Sequence, residues 1–548
     1  MSKPGDGKPG DALRFNRADL RRLVGRVQIQ SPIAEDPVIA ISPEVLARHN
    51  ARILDPTTAA RVEGQHTLYS TVYIADKLLI SSAATEDARS TLDSVANDLH
   101  LRLEPPASHL ERRNNLIAVA RDADAEDAEQ LFPTVHRILP VTGYAEKPDA
   151  WHLLQTYRAQ IGPDTHSANH VSLNHLMLAN PYVHGTPYVH GTPYVHGTGA
   201  PSAEYALAGL GGLSPVNWLA GDLPRQDELP TRRPVVAVLD TGVGEHPWMP
   251  PEIVTRGIAV NTVPLGVLGQ GADTDDNDGV VDPLQGLLGS DTGHGTFVAG
   301  LIRQKCPDAD ILSIRVMGGD GVAEEDVVVE ALAALAARQQ AAVQNCDASQ
   351  FIDVVSLSLG YYHEQPVDNA YDQRILDPIM ALARTGTAVV VAAGNDSTSR
   401  PMYPAAFAPH ENGIVDAPER DCVPVLSVAA ENPDGSIAMF SNAGDWVLCR
   451  APGAAVVSSF PTNVQGSAQS AYATGTGTER RATIDPDDFA SGFAVWSGTS
   501  FAAPVLAGEI AQHLLSGSVG LDEIADGDCR TRGWDAVTAA TKIERPSS

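Results

Sequence analysis

Three segments of this 548-residue chain carry a carboxylate, an imidazole and a hydroxyl that could act together. "VVAVLDTGV" ends a Val-rich run on Asp240, "SDTGHGTFVAG" sets His294 between two glycines, and "WSGTSFAAPVLAGEIA" puts Ser500 where a loop enters a helix. Singly, each has a plain structural reading: a turn or cap Asp, a packing His, and Gly-Thr-Ser as turn chemistry. Together they compose a nucleophilic relay. Ser attacks a carbonyl, His takes its proton and later gives it to the leaving group, and Asp orients and stabilises the imidazolium.

Elements able to position these groups follow from the hydrophobic pattern. From "RRPVVAVLDTGV" onward, apolar runs alternate with amphipathic stretches: "ADILSIRVM", "EEDVVVEALAALAARQQAAVQ", "IDVVSLSLG", "YDQRILDPIMALARTG" and "AVVVAAGN". Continuous Val/Ile/Leu strands interleaved with helices predict an α/β fold, a doubly wound and mostly parallel sheet with helices on both faces. Catalytic groups of such sheets gather at the carboxyl ends of the strands, where Asp240 falls.

The order Asp, His, Ser, each in its own Gly-rich signature, resembles the subtilisin-like serine proteases, the subtilase family, over roughly residues 232–515. The resemblance implies a serine endopeptidase with Ser500 as nucleophile, His294 as general base and acid, and Asp240 as orienter. "VVVAAGND" is similar to the segment that carries the oxyanion-hole amide, here Asn395, and "SLSLG" to the strand that pairs with substrate. By that likeness Ser358, Leu359, Gly360, Ala393 and Gly394 are the substrate-binding residues. An extended peptide added to "SLSLG" by strand pairing explains how such an enzyme binds many sequences. Two rival readings are a catalytically silent module that only holds a peptide, and a maturation protease acting on its own linker.

The remaining N-terminal sequence divides into three stretches. Residues 1–40 read as a disordered tail, its first two dozen or so residues being Gly, Pro and charge without a periodicity that could bury a face. Residues 41–145 read as a smaller α+β unit: a β-rich run from 67, a helix with Ala88, Leu92, Val95 and Leu99 on one face and Thr85 as N-cap, then "LRLEPP" and "NNLIAVARDAD" as strands. "AEDAEQLFPTVHRILPV" reads as a helix shortened by Pro133, with a last strand over 138–142. That β-α-β-β-α-β order is ferredoxin-like, and the resemblance implies a prodomain: a chaperone and intramolecular inhibitor of a zymogen. Residues 146–232 read as a linker, with three copies of PYVHGT and their His184, His190 and His196 near its middle. A flexible linker lacks the fixed geometry a metal needs, so the repeat reads as a spacer left by duplication or as a cleavage or docking segment. The catalytic domain is expected over 233–548.

Bulk composition narrows the partners. A formal charge of -30 argues against nucleic acid, which such a surface would repel. No apolar run is long enough to span a bilayer, and the N-terminus lacks a signal-like apolar segment; the expected location is therefore the cytoplasm, unless translation starts upstream or export is unusual. Five scattered cysteines without CxxC spacing imply free thiols. No cofactor is required, but the acidic loop "DTDDNDGVVD", with Asp273, Asp275 and Asn277, offers hard oxygen ligands of the kind that hold Ca2+. Its spacing is not that of an EF-hand, and a solvated turn is the alternative. "TGTGTERRATIDPDDFASG" lacks the lysine of a phosphate-binding loop and reads as a surface insertion next to the Ser500 segment.

Overall fold

The computed structural model describes residues 39, 41–62, 67–122, 128–144, 147–162, 169–179, 205, 207, 209–219, 221–267, 280–282, 284–365, 373–409, 422–517, 519–524 and 526–545. The tail 1–38, the PYVHGT repeat, and Asp273, Asp275 and Asn277 lie outside the described residues.

After a short helix, Pro43–Arg48, and a short strand, Ala51–Ile53, the N-terminal part contains β1 (Val72–Ile80), α1 (Glu86–Asp98), β2 (Leu101–Glu104), α2 (Ala107–Asp122), β3 (Thr134–Pro140), α3 (Ala150–Ile161) and β4 (Val171–Ala179). The strands form an antiparallel sheet in the order β4-β1-β3-β2. Leu92 and Val95 of α1 and Trp151, Leu154 and Tyr157 of α3 pack together on one face of it. Thr85 caps α1 as expected, its Oγ1 accepting from the Ala88 amide at 3.2 Å.

Two local readings are corrected here. "NNLIAVARDAD" contributes to a helix, α2, and not to a strand: Leu116, Ile117 and Ala120 are buried, a helical spacing that a five-residue apolar run alone cannot distinguish from a strand. The stretch after Pro133 is strand β3, not helix; its β-branched Thr134 and Val135 favour extended chain. α3 and β4 both lie within the stretch read as linker, and β4 is an inner strand of the sheet.

The second sheet holds the candidate chemistry. It contains β5 (Val235–Asp240), β6 (Val254–Thr255), β7 (Asp310–Arg315), β9 (Val354–Leu357), β11 (Ala388–Ala392), β12 (Val425–Glu431) and β13 (Cys449–Pro452), with β8 (Val322–Glu324) and β10 (Leu359–Gly360) outside it. The order is β13-β12-β11-β9-β5-β7-β6 and every pairing is parallel, as the Val-rich runs predict. Strand alternation assigns each residue to a face. Val236 and Val238 face α4 (His294–Lys305), α7 (Thr499–Leu514) and α8 (Asp526–Thr541), while Ala237 and Leu239 face α5 (Glu325–Gln344) and α6 (Gln373–Arg384).

The two sheets meet through short strands. β4 pairs antiparallel with both β8 and β10, so the N-terminal sheet continues onto the larger unit. All five cysteines are free, and among the described residues no helix is long and apolar enough to cross a membrane. The insertion at 474–492 carries a small exposed hairpin, Ala473–Thr474 against Arg481–Ala482.

Candidate active site

Asp240 closes β5 at its carboxyl end and His294 is the first residue of α4. Their closeness depends on a glycine: a Cβ on Gly295 would sit 2.0 Å from the Gly242 carbonyl, so α4 approaches the β5 loop only without a side chain there. His294 Nδ1 then donates to Asp240 Oδ1 at 2.7 Å, and the Thr241 amide donates to the same oxygen. Both residues are buried, and Trp496 and Phe501 pack around the imidazole. An ionised carboxylate only accepts, so the proton sits on Nδ1 and Nε2 is left as the basic nitrogen. Among the described residues Nε2 has no hydrogen-bond partner.

Ser500 is the second residue of α7, whose N-cap, Gly498, provides no capping side chain. The first amides of α7 therefore face this end of the site, with the positive end of the helix behind them. Pro504 lies four residues on and has no N–H to give the Ser500 carbonyl. That carbonyl accepts from Ser358 Oγ at 2.9 Å, and Ser500 Oγ donates back to the Ser358 carbonyl at 3.2 Å. The structure thus brings Ser500 against the "SLSLG" segment, with its Oγ bonded to Ser358 and not to His294.

Asn395 follows β11 and is fixed by Thr499: the Thr499 amide and hydroxyl each donate 2.9 Å bonds to Asn395 Oδ1. This turns the Nδ2 end of the amide away from Thr499. Gly394 has φ of +101°, and a Cβ there would lie 2.3 Å from Asn442 Nδ2, so only glycine fits. Its amide donates to Thr499 Oγ1 at 3.0 Å, and the Ala393 carbonyl accepts from Asn442 Nδ2 at 2.9 Å. Leu359 and Gly360 form β10 and pair with Ala179 and Leu178 of β4.

Electrostatics single out another residue at the site, Asp291. Burial pushes its carboxyl up to about 6, against the opposing pull of His294. Burial alone would lower the His294 pKa; the Asp240 carboxylate, then Asp291, outweigh it, and the net shift is upward. Thr499, Asn442 and Asp291 were not distinguished in the sequence. Each acts by bracing or charging a neighbour, and a single hydroxyl, amide or carboxyl in a loop carries no periodic or spacing signal.

Residues 231–516 match the family model described as "Subtilase family". The chain is 26% identical over 287 residues to "Intracellular serine protease" of Paenibacillus polymyxa, covering 50% of this chain and 65% of that protein. It is 28% identical to "Thermitase" of Thermoactinomyces vulgaris, over 42% of this chain and 67% of that protein. To "Minor extracellular protease Epr" of Bacillus subtilis it is 27% identical, covering 35% of this chain and 25% of that protein. A solved structure, "Crystal structure of a cold adapted subtilisin-like serine proteinase", aligns with 20% identity over 57% of this chain and 86% of that one, at a TM-score of 0.32.

Proposed function

The chain belongs to the subtilase family, and from that premise we propose that it is a serine endopeptidase working through Asp240, His294 and Ser500, made as a zymogen whose N-terminal unit occupies its own peptide groove. The observation that carries the reading is the buried 2.7 Å contact between His294 and Asp240, which leaves Nε2 as a base at the N-terminus of the Ser500 helix. In the reaction, Ser500 Oγ turns from the Ser358 carbonyl to His294, gives up its proton and attacks the scissile carbonyl. The developing oxyanion is met by the Ser500 amide and by Asn395 Nδ2, oriented by the Thr499 bonds. His294 then protonates the leaving amine, and a water repeats the sequence on the acyl-enzyme.

The zymogen part rests on β4. It lies between β8 and β10 as an added strand, with the Ala179 amide donating to the Gly321 carbonyl at 2.7 Å. A bound polypeptide would use the same backbone groups. In this reading the inhibitory unit runs from about residue 41 to 179 and the PYVHGT linker follows it.

A fluorophosphonate probe with mapping of the chain termini tests the proposal. Wild-type protein is expected to label at Ser500 and to show new termini after residue 179, both lost in Ser500→Ala. An unlabelled wild type would leave a silent peptide-holding module as the reading. Termini that persist in Ser500→Ala would remove self-processing.

A further inference from the structure

β4 carries one charged contact into the larger unit that strand pairing does not require. His175 is fully buried, its amide and Nδ1 both donate to Glu325 at 2.9 and 2.7 Å, and its Nε2 faces Glu364 at 3.1 Å. The ring stacks on Tyr361, with centroids 4.4 Å apart and planes at 18°. Glu325 opens α5 and Glu364 follows β10, so both belong to the unit that bears the triad. Arg158 of α3 approaches Glu364 at 3.8 Å and His363 approaches it at 3.7 Å.

His175, His363 and Glu364 present ligand atoms within 4.8 Å of one another. They do not make a cation site, because His363 Nδ1 accepts from the Gln365 amide at 2.9 Å, which puts the ring proton on Nε2, the atom facing Glu364. The cluster is an ion-pair arrangement around a protonated His175. Burial opposes the imidazolium charge, yet Glu325 and then Glu364 hold the pKa up at about 10. His175 and Arg158 both belong to the N-terminal unit. When that unit leaves, Glu325 and Glu364 lose both cations and remain beside the peptide groove.

Resting on the protease reading above, we propose that Glu325 and Glu364, with the face of Tyr361, form a cation-accepting subsite of the groove, and that His175 is its intramolecular occupant. The register fixes the position. Met177, buried, lies opposite Ala323, and His175 is two residues before it. A polypeptide bound in place of β4 is therefore selected for Arg, Lys or His two residues before an apolar residue at the Met177 position. Charge-assisted hydrogen bonds to two carboxylates, one of them accepting from the backbone as well, supply the discrimination.

The test uses the full chain and internally quenched peptides spanning residues 171–186, with His, Arg, Gln or Leu at position 175. At pH 7 the His and Arg peptides are expected to exceed the Gln and Leu peptides by about tenfold or more in kcat/KM. In Glu364→Gln and, separately, Glu325→Gln, the ratio of Arg to Gln peptide falls towards one. Equal rates for all four peptides in the wild type overturn the subsite. Binding to Ser500→Ala by fluorescence anisotropy separates the two layers, since β4 competes equally with each peptide. Selective binding without cleavage in the wild type would leave the subsite standing and remove the protease reading; unselective binding would remove the subsite.

Discussion

At the scale of single residues, the ionisations of His294 and Asp291 are set by burial and by neighbouring charges. In the proposed reaction His294 acts as a base only when neutral, and Asp291 stabilises its protonated form. Asp291→Asn is therefore expected to lower the His294 pKa and move the acid limb of the kcat/KM profile to lower pH, which a pH-rate series with a fluorogenic peptide would reveal; an unmoved limb counts against the coupling. In the proposed reaction Asp240→Asn replaces the acceptor-only carboxylate with a neutral amide that no longer fixes the tautomer or balances the imidazolium, and it is expected to lower kcat by about 10^4-fold. In the proposed reaction Asn395→Ala removes one oxyanion donor, an expected loss of about 10²- to 10³-fold in kcat, and it also strips the buried Thr499 amide and hydroxyl of their acceptor, so a loss of stability is expected beside it. The sequence allowed the three triad candidates to be picked out because each sits in a glycine-rich signature of its own. Thr499, which orients Asn395, and Asn442, which braces the Ala393 carbonyl, have no such mark, because their importance lies in what they touch.

At the scale of elements, placement depends on a few backbone demands. Gly295→Ala would force α4 away from the Gly242 carbonyl, with an expected cost of about 1–3 kcal/mol as overpacking. It should also lower activity by displacing His294; equal thermal stability and kcat in the variant would contradict this. Loss of the α1 cap in Thr85→Ala is expected to cost about 1 kcal/mol in the N-terminal unit, measured by urea unfolding. The parallel strands were readable from continuous Val runs, and α5 and α6 from their helical spacing. α2 and β3 were misassigned because short apolar stretches fit either period, and packing of Leu116, Ile117 and Ala120 against the larger unit decided the outcome.

At the scale of the whole molecule, the two units meet along a seam of opposite charge. Arg48, His49, Lys77 and Arg112 of the N-terminal unit pair with Asp320, Glu324, Asp326 and Glu330 of the other. These residues line a cleft of about 800 Å³, and their mutual pairing marks it as part of the seam, apart from the triad. Several of these pairs reach solvent, so added salt is expected to screen them and speed release of the N-terminal unit, read as faster loss of β4 amide protection in Ser500→Ala protein. His49 is raised to about 9, against burial, by Asp320 and Glu324, and His175 is raised to about 10. Each raised histidine contributes docking stability that is complete below about 6.5 and is lost as pH passes through its folded value. Protection of β4, corrected for intrinsic exchange, should therefore decline between about pH 6.5 and 10; protection independent of pH would refute the imidazolium contribution. The sequence by itself determined the parallel α/β pattern and the three catalytic candidates, because strand periodicity and glycine-rich turns are properties of contiguous residues. Only the tertiary structure decided which strand lies between β8 and β10. Glu325 and Glu364 lie 150 and 189 residues from His175 along the chain, and folding alone brings those charges together.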